Sequence, residues 1–249
     1  MAFPNTISGM YGWEKVQTSE QKHKLGTEMV FVDGRKFRYI ENGGSAITEG
    51  LLVASEAPAG NHDEDLAVAT TAAGSTTVAV TLGGTEAAKN LYAEGYLFIN
   101  VPILATSANP HEMYKIKSHA YVASAGVLTA TLDEPDGLVT ALTNGTETVG
   151  LIKSPYKDIV VAPAAVAGRF VGVTTRSLTA DYFGWIQVAG IATVAMDGTP
   201  AFGTLVGASG THAGQFVAVG ADTTPAIARV HGKAGVDNEY HTVFLMNLY

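Results

Sequence analysis

The chain has 249 residues, of which only 15% are charged and 28 are glycine, and it contains no cysteine. Against usual values of roughly 25% charged and ~7% Gly, this composition excludes a disordered chain, a collagen and a charged coiled coil. The missing cysteines exclude a disulfide framework, a thiolate metal site and a thiol nucleophile. Fifteen basic side chains against 23 acidic ones give a formal charge of −8, so a nucleic-acid groove driven by counterion release lacks its main ingredient and no nucleic-acid partner is expected.

In chain order, the start Met1-Ala2-Phe3-Pro4-Asn5 shows no basic region followed by an apolar core, so no secretory signal is expected. Residues 1–27 mix Tyr11, Trp13, Gly9, Gly12 and polar residues without a sustained period. An extended N-terminal arm is expected, lying along its own domain or docking on a neighbour through its aromatics. Residues 28–40 then present two β-prone runs around Asp33-Gly34, the signature of a hairpin with a two-residue type I′ loop. Its second strand alternates Phe37 and Tyr39 with Lys36 and Arg38, which predicts one aromatic and one basic face.

The joint Ala57-Pro58-Ala59-Gly60 and the acidic run Asp63-Glu64-Asp65 open the middle of the chain. Strand-like blocks follow at Ser75–Leu82, Gly95–Val101, Met113–Lys117 and Val127–Leu132, with helical turns expected at Glu86–Tyr92 and Gly137–Leu142. Turns are expected at Asp133–Gly137 and at Asn144-Gly145. A second joint, residues 162–168, leads to strands at Arg169–Thr174, Tyr182–Val188, Ile191–Val194, Gln215–Val219, Ala226–His231 and Thr242–Met246. The longest apolar run, Ile159–Gly168, is broken by Pro163 and falls short of the ~18 residues a membrane helix needs, so no membrane partner is expected.

A lone hairpin is marginal by itself and needs more strands to pack on. The expected fold is therefore all-β: a sandwich or barrel built from residues 28–60 and 166–249, with residues 61–165 as an inserted acidic β unit. The charge distribution follows this division, at +2 over residues 1–40, −9 over 41–165 and −1 over 166–249. A near-neutral surface approaches other protein at low desolvation cost, whereas a strongly charged one favours solvent. The two ends are the expected contact regions.

Catalytic and metal motifs are weak. Seven histidines include no H-E-x-x-H, and His62-Asp63-Glu64-Asp65 reads as a solvated acidic loop. Gly207-Ala208-Ser209-Gly210 falls one residue short of G-x-S-x-G, and Ser209 and His212 read as parts of a Gly-rich loop between two strands, not as a catalytic pair. No phosphate-binding glycine motif, cofactor site or metal site is expected, and no enzymatic activity. Tyr182–Val188 places Trp185 either in a core or on a carbohydrate platform, with the core favoured.

Three pieces together carry a resemblance: the arm ending Leu25-Gly26-Thr27, the hairpin segment Asp33-Gly34-Arg35-Lys36-Phe37-Arg38-Tyr39, and the strand Tyr182-Phe183-Gly184-Trp185-Ile186-Gln187-Val188-Ala189-Gly190. With the Ala-, Gly-, Thr- and Val-rich body, they resemble the head decoration, or cement, proteins of tailed bacteriophages. The resemblance implies a β sandwich or barrel, assembly as a homotrimer, the major capsid protein as partner, a location on the virion surface after synthesis in the host cytoplasm, and no catalytic residues. Phe3, Tyr11, Trp13, Arg35 and Arg38 are the candidate partner-binding residues. Removal of residues 1–25 is expected to abolish attachment while leaving a folded β protein. A tail-tube or fibre-associated virion protein and a carbohydrate-binding β module are the alternatives.

Overall fold

The structure is a computed structural model that describes residues 6–100, 112–164, 169–220, 225–232, 236–246 and 248. It is essentially all-β and divides into two compact units, one formed by the chain up to Glu56 and again from Pro155, the other by Ala57–Ser154. The inserted segment thus ends about ten residues before the Ala-rich joint expected to close it. The reason lies in residues 156–162. The Glu41 N–H donates to Tyr156 O and the Ile159 N–H to Glu41 O, Val160–Val161 pairs with Val53–Ala54, and Ala162 is buried beside Leu52. Residues 156–162, expected at the end of the inserted unit, belong by these contacts to the discontinuous one, through pairings too short to show a period.

The inserted unit is a six-stranded antiparallel sheet in the spatial order Leu66–Ala67, Thr148–Ile152, Tyr96–Asn100, Met113–Ser118, Val127–Leu132, Thr77–Thr81. A bridge from Val68 to Val80 returns the last strand to the first, which closes the sheet on itself and removes its open edges. Alternation does the rest: Val78, Val80, Leu128, Ala130 and Leu132 point into one core with Leu97, Ile116 and Leu151, as the period-2 geometry of strands requires. The segments expected to hold helical turns, Glu86–Tyr92 and Gly137–Leu142, are turns and single bridges instead. Ala87 pairs with Val122 and Leu142 with Thr71, and those sheet contacts override the local helical preference.

In the other unit the long strand Phe183–Asp197 is shared by two rings of strands. Its second half pairs with Tyr240–Leu245, and the ring continues through Ala228–Val230, Leu205–Ala208 and Phe216–Ala218 back to Met196 and Asp197. This five-stranded ring encloses Val194, Met196, Val206, Phe216, Val230 and Val243. The first half lies between Lys36–Glu41 and Phe170–Thr174, followed by Leu52–Ala54 and Val160–Val161. A bridge from Asn42 to Ile159 nearly closes that second ring around Ile40, Val53, Ile159, Val171 and Ile186.

Two strands were expected where this one runs, because Gly190 interrupts the pattern. Gly190 instead bends the strand: it adopts φ 87°, and a Cβ there would lie 3.1 Å from Arg35, so glycine serves both the conformation and the approach. The pairing slips between Gln187 and Ala189, and the buried Gln187 side chain donates from Nε2 to Ala189 O (3.1 Å) and Ile191 O (2.8 Å). Carbonyls released by the bulge are satisfied internally. Trp185 is 6% exposed, packed with Met29, Phe31, Phe37 and Tyr39; it is core, as the strand pattern favoured, and offers no platform for a sugar.

Candidate functional site

The hairpin determines what the discontinuous unit presents. Only Gly34 has positive φ, at 85°, and Asp33 does not. The Gly34 N–H donates to Phe31 O (3.0 Å) and the Phe31 N–H to Arg35 O (2.9 Å). The loop is therefore the three residues Val32-Asp33-Gly34, a type I turn followed by a left-handed glycine, and not the two-residue type I′ loop that Asp-Gly suggests. One extra loop residue shifts the register, so Met29 faces Phe37 and Glu28 faces Arg38.

That register sets the fate of the two arginines. Arg38 is held by Glu28 (Nη2 to Oε2, 3.2 Å) and donates from Nη1 to Gly26 O (2.8 Å), so it braces the arm against the hairpin. Arg35 is likewise half-buried, but against rings. Its guanidinium lies 5.0 Å from the Phe31 ring centre, 5.5 Å from Tyr11 and 5.7 Å from Phe37, while its Nε is 2.8 Å from Asp33 Oδ2. Partial burial raises the Asp33 carboxyl, but the Arg35 backbone N–H and guanidinium outweigh this and hold it below the usual carboxylate range.

The arm is docked on its own unit. Thr6–Ser8 pairs in parallel with Glu28–Val30, Trp13–Lys15 forms one 3-10 turn, and Thr18 bridges to Phe183. Ile7 and Leu25 pack on the aromatic core, and the Lys22 N–H donates to Tyr39 Oη (2.9 Å). The arm looked unpatterned because its pieces are too short for any period to develop. Removing residues 1–25 would strip a strand and part of a core, so the truncation no longer separates attachment from folding.

Docking the arm leaves its aromatics outward. Tyr11 is 63% exposed and Trp13 41%, with Met10 and Val16 also exposed and Val32 at 93% on the hairpin loop. Phe3 lies outside the described residues. Arg35 also borders two clefts. One, of about 660 Å³, lies between the hairpin loop and the end of the last strand, with Ile191, Phe244 and Met246 on its walls; the second, of about 490 Å³, runs past Glu49, Thr193 and Tyr240. The alternating burial of Tyr240–Leu245 turns Tyr240 and Phe244 outward, and these two were missed. The available signal was a strand apolar on both faces, in a unit whose inward face alone suffices for a core. Exposed apolar side chains gathered around a partly compensated cation form a surface suited to protein contact.

Chemistry elsewhere resolves into structural roles. Ser209 Oγ donates to Asp197 Oδ2 (2.6 Å) and accepts the N–H groups of Thr211 and His212 (both 3.0 Å). His212 Nδ1 lies 3.2 Å from the same carboxylate oxygen, so serine and histidine both address the aspartate and pin a turn. Foremost the Ser209 hydrogen bond, and then His212, hold the Asp197 carboxyl below its ordinary range against the opposing effect of burial. His62, read as part of a solvated loop, is fully buried: its Nε2–H donates to Thr85 O (3.0 Å) and its Nδ1 accepts the Tyr92 hydroxyl (2.5 Å). Tyr92 in turn donates its backbone N–H to His119 Nε2 (3.0 Å). Burial, aided by the charge of Asp63, pushes the Tyr92 hydroxyl well above its ordinary range. Among the described residues no group of three or more His, Asp or Glu side chains could hold a metal ion. No family model, curated protein or solved structure matches the chain.

Proposed function

We propose that this protein is a virion structural protein that binds the outside of a phage capsid and stabilises it. The observation that carries the reading is the exposed apolar surface around Arg35, formed by Tyr11 and Val32 together with the cleft walls Ile191, Phe244 and Met246, with Trp13 exposed on the same arm. It lies on the unit with 11 basic and 13 acidic side chains, while the inserted unit has four basic against ten acidic. The near-neutral unit meets the major capsid protein and sister copies in a homotrimer; the acidic unit keeps to solvent. Modest contacts suffice, because a shell offers many equivalent sites and each added contact acts at high effective concentration. The resemblance to head decoration proteins supports the same reading.

The test is co-sedimentation of the purified full chain with assembled heads that lack it, followed by electron microscopy. Binding in a regular array, lost in a Tyr11→Ser/Trp13→Ser double variant that stays folded, is the expected result. Heads that sediment bare would refute the proposal. Rings or fibres formed by the purified protein alone would favour the tail role instead.

A further inference from the structure

The chain contains two Asn-Gly pairs, and the fold treats them in opposite ways. Asn42 is fully buried. Its Nδ2 donates to Ser45 O and Thr179 O, both at 2.9 Å, its own N–H donates to Tyr182 O (2.8 Å), and the Gly43 N–H donates to Ile159 O (3.1 Å). Side-chain amide and following backbone nitrogen are both held in place. Asn144 and Gly145 are exposed in a turn. Asn144 is paired to Glu147 by an isolated backbone bridge and its N–H donates to Thr70 Oγ1 (3.1 Å), but its carboxamide makes no hydrogen bond among the described residues. Gly145 has φ +81° and nothing within 4 Å of where a Cβ would stand, so no side chain hinders approach of its nitrogen to the preceding amide carbon.

We infer that Asn144 is a site of spontaneous intramolecular deamidation. The Gly145 backbone nitrogen, giving up its proton to solvent, attacks Cγ of Asn144. The new N–C bond closes a five-membered succinimide as the Cγ–Nδ2 bond breaks and ammonia leaves with the proton it needs. Water then adds to either succinimide carbonyl and opens the ring, leaving an aspartyl or an isoaspartyl residue at position 144. No oxidation, reduction or further reactant is involved. The product adds a negative charge three residues from the buried Glu147, whose carboxylate accepts the Thr143 N–H (2.8 Å). The isoaspartyl form also lengthens the backbone between the Thr71–Leu142 bridge and the strand Thr148–Ile152. Each event makes an already acidic unit more acidic, and the isoaspartyl form also strains the turn that leads into Thr148–Ile152, so the site records the age of the molecule. The inference does not depend on what the protein binds.

The test is incubation of the full-length protein in mildly alkaline buffer at physiological temperature, read by peptide-mapping mass spectrometry at both Asn-Gly pairs and by isoelectric focusing. Asn42 reacts only after local opening, which typically costs several kcal/mol, so Asn144 should convert about a hundredfold faster or more. In denaturant the two rates should converge. Asn144→Gln should remove the acidic form, and Thr146→Ala, which leaves the Asn144-Gly145 pair intact but breaks the N-x-[ST] glycosylation pattern that Asn144-Gly145-Thr146 also fits, should leave it. Equal rates in the folded protein, or an intact Asn144 after the denatured chain has converted, would overturn the inference.

Discussion

The two units solve the same problem of closing an all-β core, and they differ in what they leave outside. The inserted unit, Ala57–Ser154, closes one antiparallel sheet, threads a buried hydrogen-bonded series from Thr85 through His62 and Tyr92 to His119 across its interior, and carries a strongly acidic surface. The discontinuous unit builds two rings on one bent strand, and the bend at Gln187–Gly190 opens clefts beside the hairpin loop. Both units leave apolar side chains outside, Met113, Tyr121 and Val139 among them in the inserted one; what the shared strand adds is re-entrant surface, the two clefts lined by Ile191, Phe244 and Tyr240. The contact surface follows from the way the second unit closes.

If the units are independent cores, each should respond to its own deletions. Phe216→Ala should cost about 3–5 kcal/mol and Leu128→Ala about 2–5 kcal/mol. In a thermal or denaturant melt followed by hydrogen exchange, Phe216→Ala should destabilise only the discontinuous unit and Leu128→Ala only Ala57–Ser154. A single transition shifted equally by both would merge what the comparison separates. The buried polar series sharpens the contrast further. Tyr92→Phe leaves His62 Nδ1 without its donor, at a cost of about 1–3 kcal/mol, and faster amide exchange should appear around residues 62, 85 and 119 and nowhere in the discontinuous unit.

A pH dependence belongs to the other unit. The Asp197 carboxyl is held low by Ser209 and His212, so its contribution is complete above the unfolded carboxyl range and is lost as pH falls below about 4 through the lowered folded value. Asp197→Asn should lower stability near neutrality by about 1–2 kcal/mol and flatten the acid limb of the stability profile; an unchanged limb would show that the turn does not depend on that charge. Smallest of all, Arg35→Ala removes a cation from three ring faces at a half-buried surface site. It should cost about 0.5–1 kcal/mol of stability, measured by denaturant midpoint, while weakening attachment far more than folding.

Period-2 alternation made much of this fold legible. Val127–Leu132 is visible to the residue, the buried two-faced character of Trp185 and its neighbours follows from their run of large apolar side chains, and the acidic middle stands out by charge. Ring closure was not legible, because Leu66–Ala67 and Val160–Val161 are two-residue strands with no period to detect. The loop Val32-Asp33-Gly34 is not legible because Asp-Gly fits two turn types, and only the backbone tells them apart, through the φ of Asp33 and the Phe31–Arg35 hydrogen bond. That single residue of register turned Arg38 from a surface cation into the partner of Glu28. Of the surface, Tyr11, Trp13 and Arg35 could be picked out from an unpatterned stretch, whereas Ile191 and Phe244 meet the hairpin only through the bend of a strand whose segments lie far apart in sequence.

The most direct measurement is hydroxyl-radical footprinting of the full chain, free and bound to assembled phage heads. Strong protection of Tyr11, Trp13, Val32, Phe244 and Met246, with Met113, Tyr121 and Val139 of the inserted unit labelled equally in both states, is the result this account predicts. Protection confined to the inserted unit, or labelling of Tyr11 and Trp13 unchanged by the heads, would contradict it.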